Sequence, residues 1–276
     1  MESKKRKKII ALLLSIITPG LGQIYNGQLK KGVIFYLAGF LLIFLLAMTG
    51  LQYQFYGAIA LVLIAICWRL FIISDALFVA IKIKERTLRP YNKWFIYLLI
   101  AIFANVASLF TNDIVKTTVL GVKAYKIPSG TMEPSLLVGD HIVVNLKYFK
   151  TNRPQRGDVI VFKYPLDPNK DFIKRVIGIG GDRIEIKEKK VYINGQLFSD
   201  PHAHYQEGNP SSPFIQFRDN LGPIVVPKNA LFVMGDNRDR SYDSRFWGFV
   251  NLADVKGRVM YIYWSKNKNR IGLEVR

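Results

Sequence analysis

The stretch Tyr56–Ile73, YGAIALVLIAICWRLFII, decides the first half of the fold, because only one charged residue, Arg69, interrupts an otherwise apolar sequence. A run of this length can cross a hydrocarbon core of roughly 30 Å as a helix. Similar runs lie on either side of it, at Val33–Met48 and at Trp94–Phe110. The sequence therefore predicts three membrane-spanning helices.

The loops that flank these runs are basic, and they predict the orientation of the helices. Lysine and arginine cluster at Met1–Lys8, at Lys30–Lys31 and between Lys82 and Lys93, and such residues favour the cytoplasmic ends of membrane helices. If the first apolar segment, Ile9–Tyr25, dips into the membrane and returns, all three clusters are cytoplasmic. The chain after the third span is then outside. A fourth full span is the alternative, and it would move one cluster to the wrong side.

The formal net charge of +19 indicates a negatively charged partner or surface. The basic clusters flank apolar runs instead of forming one basic face. We therefore expect contact with anionic membrane lipids and no binding of nucleic acid. The three histidines and the single cysteine, Cys67, show no spacing typical of metal ligands. Neither a metal nor another cofactor is expected.

Residues 8–80 contain short motifs near the ends of the apolar segments. These motifs are Gly20–Gly27, Lys31–Gly32 and Trp68–Asp75, and through them this part of the chain resembles the small TM2-type two-helix membrane domain. The resemblance implies a membrane region that has no catalytic chemistry of its own. A plain anchor with a glycine-rich turn is the alternative.

After Asn112 the apolar runs give way to short stretches of alternating apolar and polar residues, separated by Gly, Pro and Asn. Such alternation predicts strands, and Asn194–Gly195 predicts a tight hairpin turn. We therefore expect an α-helical transmembrane region at 1–112 and a mostly antiparallel β domain at 113–276. The predicted strands are His141–Leu146, Asp158–Tyr164, Arg183–Lys187, Lys190–Ile193, Leu231–Met234 and Gly257–Trp264.

Two segments of the β domain carry residues suited to covalent catalysis. In IPSGTMEPSLLVGD, at 127–140, prolines bracket small residues, so that hydroxyl groups and free backbone N–H groups can be exposed together. In FIKRVIGIGGD, at 172–182, Lys174 lies among apolar residues, and burial lowers the pKa of a lysine. A neutral lysine can accept the proton of a hydroxyl nucleophile. On spacing alone, a turn and a strand-edge lysine are the simpler interpretation.

Two more segments change that interpretation. Together with RGDVIVF at 156–162 and GDNRDRSYDSRFWG at 235–248, the sequence resembles the conserved boxes of the type I signal peptidases, in the order in which that family has them. The resemblance runs from about Tyr125 to Trp264. It implies the β-rich catalytic fold of that family, a serine–lysine dyad, and cleavage of signal peptides after a small-x-small motif at the outer membrane surface.

Position by position, the resemblance assigns roles to residues of these boxes. Thr131 falls on the nucleophile, and Lys174 falls on the general base. Ser129 falls on the residue whose hydroxyl completes the oxyanion hole with the Thr131 N–H, and Ser241 falls on the serine that orients the lysine. The expected supporting residues are Asp243, Arg245, Arg175 and Asp236, and the expected substrate-pocket residues are Tyr125, Ile127, Met132 and Ile173.

Two residues depart from the family pattern. Gly180 stands where proline is usual before Gly–Asp, and Thr131 stands in place of the nucleophilic serine. The extra methyl group of threonine stiffens its χ1 torsion and crowds the line of attack. The chain is therefore expected to be a threonine-based peptidase or a slow or inactive, substrate-trapping relative. Lys174, Ser129 and Ser241 are all kept, which favours the peptidase.

These observations predict a multi-pass protease of the plasma or inner membrane, with its catalytic domain on the extracytoplasmic side. Its expected partners are secretory preproteins, through their signal peptides, and anionic membrane lipids. Two other functional classes stay open at this point. One is a membrane protein that binds signal peptides or lipids without cutting, and the other is a self-cleaving regulator of the same fold.

Overall fold

The computed structural model describes residues 3–4, 6–83, 86–87, 89–205 and 218–275, the side chains of 3–4, 86–87 and 110–112 excepted. The chain divides into two compact units, Met1–Leu120 and Gly121–Arg276. The first unit is mainly helical, and the second is mainly antiparallel β. The predicted fold class is therefore confirmed. The division falls after Leu120 rather than after Asn112, because helical structure continues beyond Asn112.

The first unit begins with a helical hairpin. Helix α1 (Lys8–Ile17) stops just before Pro19, which has no N–H to donate, and the short helix α2 (Leu21–Tyr25) runs back. The backbone N–H of Lys7 donates to the hydroxyl of Tyr25 at 3.1 Å. The hairpin therefore starts and finishes at the same end of the unit.

Three longer helices follow the hairpin. Among the described residues, α3 (Leu29–Ala47) and α4 (Phe55–Lys82) are long and apolar enough to cross a membrane, whereas α1 and the stretch Trp94–Leu109 are shorter. Helix α5 as a whole covers Trp94–Ile114, and a π-helical segment, Val115–Leu120, continues it. Most of the large apolar side chains of α3 and α4 are exposed, which is stable in lipid rather than in water.

The basic segments of the first unit converge at one of its ends. The hydroxyl of Tyr91, in the loop before α5, donates to the Gly27 carbonyl, just after the hairpin, at 3.0 Å. The backbone of strand β1 (Ser3–Lys4) pairs with that of β2 (Arg86–Thr87). The N-terminus, the start of α3 and the loop between α4 and α5 therefore lie together.

The second unit is built from two antiparallel sheets. The larger one has the strand order β12-β11-β6-β5-β13-β4-β3, and the smaller one has the order β10-β7-β8-β9. All six predicted strands are present. Asn194 and Gly195 adopt the positive φ values, 54° and 82°, that the predicted hairpin turn needs. The strands are β3 (Val122–Lys126), β4 (His141–Asn145), β5 (Val159–Tyr164), β6 (Asp167–Ile179), β7 (Arg183–Lys187), β8 (Lys190–Ile193), β9 (Gln196–Leu197), β10 (Leu221–Val225), β11 (Ala230–Met234), β12 (Val250–Asn251) and β13 (Val255–Trp264), and the short helices α6 (Tyr148–Thr151) and α7 (Ser244–Trp247) connect them.

Strand β6 brings the candidate site together. It lies between β11 and β5, and its pairing with β11 reaches only as far as Arg175 opposite Met234. Lys174 comes one residue before that pair, where β11 no longer covers the strand. Lys174 is opposite Ile160 on β5, and Arg175 is opposite Val159. Because side chains alternate along a strand, Lys174 and Arg175 point to opposite faces.

Candidate active site

The loop that carries Thr131 is closed at its base. The Ile127 N–H donates to the Asp140 carbonyl at 2.8 Å, which joins the two ends of the loop. Within the loop, Gly130–Met132 forms one 3-10 turn. Met132 itself is buried in the core of the β unit. The position of Thr131 is therefore fixed by the buried side chain of Met132 and by the hydrogen bond that closes the base of the loop.

Thr131 faces the side chain of Lys174. The Lys174 Nζ donates to the Thr131 Oγ1 at 2.9 Å and to the Ile173 carbonyl at 3.1 Å. Lys174 is only 3% exposed, and its Nζ lies 5.6 Å from the centre of the Phe172 ring. An amine and a hydroxyl thus lie within hydrogen-bond distance where little water reaches. This is the geometry that a lysine base and a hydroxyl nucleophile require.

Burial changes the proton affinity of this lysine. It lowers the pKa of Lys174 from 10.5 to about 8, although the nearby carboxylates of Asp243 and Asp236 favour the charged form. In the part of the chain that the structure describes, no carboxylate forms an ion pair with Lys174. At pH 7 roughly one molecule in ten therefore carries the neutral amine that can act as a base.

Hydrogen-bond donors for an oxyanion are present on the same loop. In a 3-10 turn each N–H reaches back three residues, so the N–H groups at its start, including that of Thr131, have no partner within the turn. Ser129 precedes the turn in an extended conformation, with φ −139° and ψ 154°, and its side chain does not cap the turn. Ser129 is exposed. Its hydroxyl is therefore accessible to a ligand, and its predicted role in an oxyanion hole stays a prediction.

A buried ion pair lies on the other face of β6. The Arg175 Nε and Nη2 atoms donate to the two carboxylate oxygens of Asp236, each at 2.7 Å. Both residues are buried, with side-chain exposures of 1% and 0%. Arg175 also donates to the Gly157 carbonyl at 2.7 Å. This two-pronged contact fixes the turn that follows β11 against the strand that carries Lys174.

A second ion pair organises the end of the same box. The Asp243 carboxylate accepts hydrogen bonds from the Arg245 Nε at 2.8 Å and from the Gly235 N–H at 3.0 Å. Burial alone would raise the pKa of Asp243, but Arg245 and the hydroxyl of Ser241 hold it below its ordinary value. Asp243 is therefore a carboxylate that faces the site without bonding to the lysine.

Ser241 lies close to the nucleophile loop. It is 5% exposed, and a side chain added at Gly235 would meet both the Ser241 hydroxyl and the Thr131 carbonyl. Within the described residues, the Lys174 Nζ bonds to Thr131 and to the Ile173 carbonyl. The expected orienting contact from Ser241 is not among these bonds, and its role stays a prediction.

A cavity of about 270 Å³ opens beside the amine and the hydroxyl. All four residues that the sequence predicts for the substrate pocket line it, and so do Ser129, Thr131 and Lys174. The Tyr125 hydroxyl donates to the Asp171 carboxylate at 3.0 Å, which fixes one wall. The lining residues are Tyr125, Lys126, Ile127, Pro128, Ser129, Thr131, Met132, Asp171, Phe172, Ile173, Lys174 and Tyr242.

Apart from Lys126 and Pro128, three lining residues received no role from the sequence: Asp171, Phe172 and Tyr242. A signal existed for two of them. Phe172 is two residues before Lys174, so strand alternation places both on one face. Tyr242 stands between Ser241 and Asp243. Asp171 shows no local signal, because its contact with Tyr125 joins residues far apart in the chain.

A family model and several characterised proteins are similar to this chain. The model described as "Signal peptidase, peptidase S26" matches residues 91–264. The signal peptidase I of Aquifex aeolicus is 38% identical over 52% of the chain and 76% of the relative. The signal peptidase I of Pseudomonas aeruginosa is 37% identical over 52% of the chain and 65% of the relative. The signal peptidase IB of Staphylococcus aureus is 34% identical over 52% of the chain and 78% of the relative.

A solved structure is also similar in sequence. The crystal structure of a signal peptidase I from Enterococcus faecalis is 32% identical and covers 39% of this chain and 97% of its own, with a TM-score of 0.32. Among the described residues there is no group of three or more His, Cys, Asp or Glu side chains that could hold a metal ion.

Proposed function

This chain belongs to the signal peptidase family of peptidase S26, whose model covers more than half of it, and on that premise we propose that it is a membrane-bound endopeptidase. It removes signal peptides from secretory preproteins after a small-x-small motif. Thr131 supplies the nucleophile, and Lys174 supplies the general base. The reaction uses the side chains of this chain and needs no metal or other cofactor.

One observation carries this proposal. The Lys174 Nζ and the Thr131 Oγ1 are 2.9 Å apart, and the amine is almost fully buried. A charged ammonium at this position could only donate to the hydroxyl. Because burial lowers the pKa of Lys174 to about 8, the neutral form is accessible and can take the hydroxyl proton.

The proposed reaction proceeds in two halves. Lys174 accepts the Thr131 proton as the oxygen attacks the scissile carbonyl carbon, and the negative charge on the carbonyl oxygen is held by the Thr131 N–H and the Ser129 hydroxyl. The C–N bond then breaks, the amine of the mature protein leaves with the proton from Lys174, and an ester to Thr131 remains. A water molecule, deprotonated by the same lysine, attacks that ester and releases the signal peptide as an acid.

The shape of the site supports an extended peptide as the substrate. Strand β3 ends the larger sheet, so one of its edges is not paired with another strand of that sheet. An extended peptide can add to such an edge through its backbone. Tyr125, on the same strand, closes the cavity on one side through its bond to Asp171. The cavity of about 270 Å³ that this wall borders can then receive side chains of the bound peptide.

The first unit supports a proposed topology. Because the hairpin α1–α2 returns to its starting end, it fits a segment that dips into the membrane. The basic N-terminus, the start of α3 and the loop before α5 share that end, which suits the cytoplasmic side and anionic lipids. Crossings by α3, α4 and α5 then carry the chain to the extracytoplasmic side, in the plasma or inner membrane.

The nucleophile itself suggests a second candidate function. A threonine carries a methyl group where a serine carries hydrogen, and a misplacement of about 1 Å can cost on the order of 100-fold in rate. A chain that binds signal peptides tightly and cuts them slowly or not at all would trap them. The intact contact between Lys174 and Thr131 favours the peptidase.

The test uses the purified full chain in detergent and a preprotein with an Ala-x-Ala site. Cleavage that disappears in Lys174→Ala supports the peptidase. No cleavage by the wild type, together with strong cleavage by Thr131→Ser, would instead establish the trapping function. A product that arises only from the chain itself would indicate a self-cleaving regulator.

A further inference from the structure

Asn237 lies next to the nucleophile loop, and neither the sequence motifs nor the proposed mechanism gives it a role. It follows Gly235 and Asp236 at the end of β11 and is fully buried. We infer that Asn237 is a positioning residue that aims the Thr131 N–H into the oxyanion site. The inference rests on the proposed function, because it assigns a task within that reaction.

Asn237 holds the nucleophile loop at two successive carbonyl groups. Its side-chain Nδ2 donates to the Gly130 carbonyl at 3.1 Å. Its backbone N–H donates to the Thr131 carbonyl at 3.2 Å. Only the amide nitrogen can donate to a carbonyl, so the contact with Gly130 also fixes which way the amide is turned. One residue thus grips the peptide groups on both sides of Thr131.

The contact with Gly130 controls the direction of the oxyanion donor. The Gly130 carbonyl and the Thr131 N–H belong to one peptide group, which is planar and trans, so the two bonds point in opposite directions. When Asn237 pulls the carbonyl towards itself, the N–H must point away from it. The Glu133 N–H also donates to this carbonyl, at 3.2 Å, so without Asn237 only this bond of the 3-10 turn would hold the peptide group, and Gly130 has no side chain of its own to limit its rotation.

The position of Asn237 is itself fixed, because further hydrogen bonds hold the turn in which it lies. The N–H of His204 donates to the Asp236 carbonyl at 2.7 Å, and the N–H of Arg238 donates to the His204 carbonyl at 2.9 Å. Arg238 is itself buried and paired with Asp200. Together with the pair formed by Asp236 and Arg175, these bonds leave the backbone at Asn237 little freedom to move.

The geometry predicts a loss of catalysis rather than of substrate binding. Replacing Asn237 with alanine removes one of the two hydrogen bonds to the Gly130 carbonyl and leaves that from the Glu133 N–H, so the Thr131 N–H is aimed less well when the oxyanion forms. We expect kcat to fall by about 10- to 100-fold, with KM changed by less than about twofold. Asn237→Asp should fall further, because a carboxylate repels the carbonyl that the amide attracts.

The experiment measures kcat and KM of the full chain in detergent for the wild type, Asn237→Ala and Asn237→Asp. It also measures the affinity of a peptide boronate, whose adduct with Thr131 carries an oxygen in the oxyanion position, and of an uncleavable peptide of the same sequence. Asn145→Ala is the matched control. Asn145 is also buried and accepts a hydrogen bond from the Lys147 N–H at 2.8 Å, and among the described residues its side chain is not hydrogen-bonded to the nucleophile loop.

The inference requires that the Asn237 variants lose boronate affinity and kcat while they keep the affinity for the uncleavable peptide. Equal losses of both affinities, or losses matched by Asn145→Ala, would mean that Asn237 only stabilises the fold, and the inference is then wrong. Unchanged kcat in Asn237→Ala overturns it as well. If neither the wild type nor Thr131→Ser cleaves the preprotein, the proposed function is wrong, and this inference fails with it.

Discussion

Lys174 and Arg175 are neighbours on strand β6 and are both buried, yet they have different hydrogen-bond partners on the two faces of the strand. On one face, Arg175 bonds to both carboxylate oxygens of Asp236 at 2.7 Å. On the other, Lys174 bonds to a hydroxyl and a carbonyl, at 2.9 and 3.1 Å. Their exposures are 1% and 3%. Burial is therefore the same, and only the partners differ.

The difference shows how one strand can provide both structure and chemistry. A buried cation with a close carboxylate keeps its charge, and the pair fixes geometry. A buried cation with only neutral partners has a lowered pKa, because burial disfavours its charged form. More of it is then in the neutral form that can act as a base. The residue types agree with this division, since arginine hardly ever loses its proton and lysine does so readily when buried.

The strongest way to break the comparison is to make the Lys174 face of the strand resemble the Arg175 face. Lys174→Arg keeps the positive charge and much of the length but removes the proton acceptor. We expect the cleavage rate to fall by about 10²- to 10⁴-fold. The rate is measured with the preprotein assay. Lys187→Arg, on the exposed side of β7, is a matched control that keeps its charge far from the site. A cleavage rate close to the wild type would show that Lys174 acts through its charge and not as a base.

The second test removes the carboxylate that forms the ion pair with Arg175. Asp236→Ala should lower the free energy of unfolding of the β unit by about 3–5 kcal/mol, because the guanidinium stays buried without this partner. The double variant Arg175→Met with Asp236→Leu should recover most of that loss. Native-state hydrogen exchange of the β6 and β11 amides in the full chain measures both changes.

Asp236→Ala also separates stability from chemistry. The Asp236 carboxylate favours the charged form of Lys174, so its removal should shift the activity profile to lower pH. A variant that keeps the wild-type stability, or a profile that moves to higher pH, would contradict the division of roles between the two faces.

The sequence predicts those parts of this site that depend on residue type and short spacing. The boxes assign roles to Thr131 and Lys174 through their resemblance to the signal peptidase family, and the structure brings the two side chains together. Alternation of apolar and polar residues predicts six strands, because this pattern can also be read from neighbouring residues. Strand β6 is the instructive exception. Its first four residues, from Asp167 to Lys170, are polar and include Pro168, and the sequence predicts no strand in this range.

Contacts between distant segments are the part that the sequence does not reveal. The grip of Asn237 on Gly130 depends on where β11 stops pairing with β6, and a register shift within that pair helps to set this point. No local pattern encodes such a shift. The bond between Tyr125 and Asp171 likewise depends on how the edge strand β3 approaches the first part of β6, an interior strand of the same sheet.

The pH dependence of cleavage sharpens the comparison without any mutation. In the proposed mechanism Lys174 acts as a base only when it is neutral, and its pKa is lowered to about 8. We therefore expect kcat/KM to be level above about pH 8 and to fall about tenfold for each pH unit below it. A steady-state pH profile of the full chain in detergent gives the result. A profile that stays level down to pH 6 would mean that the base has a much lower pKa than this environment gives it.

The smallest expected effect is on the free energy of unfolding, which the burial of Lys174 lowers. At neutral pH the folded chain must bury a mostly charged Lys174, so Lys174→Met, which fills similar space without charge, should raise the free energy of unfolding by about 1–2 kcal/mol.

The size of this stabilisation depends on pH. Because the pKa of Lys174 is about 8 when folded and 10.5 in its ordinary state, unfolding takes up a proton between these values. The advantage of methionine should be complete below about pH 8 and should shrink as the pH rises towards 10.5. Hydrogen exchange of the β6 amides at pH 7 and pH 9.5 measures it, and a wild type more stable than Lys174→Met at pH 7 would show that this lysine is as well compensated as Arg175.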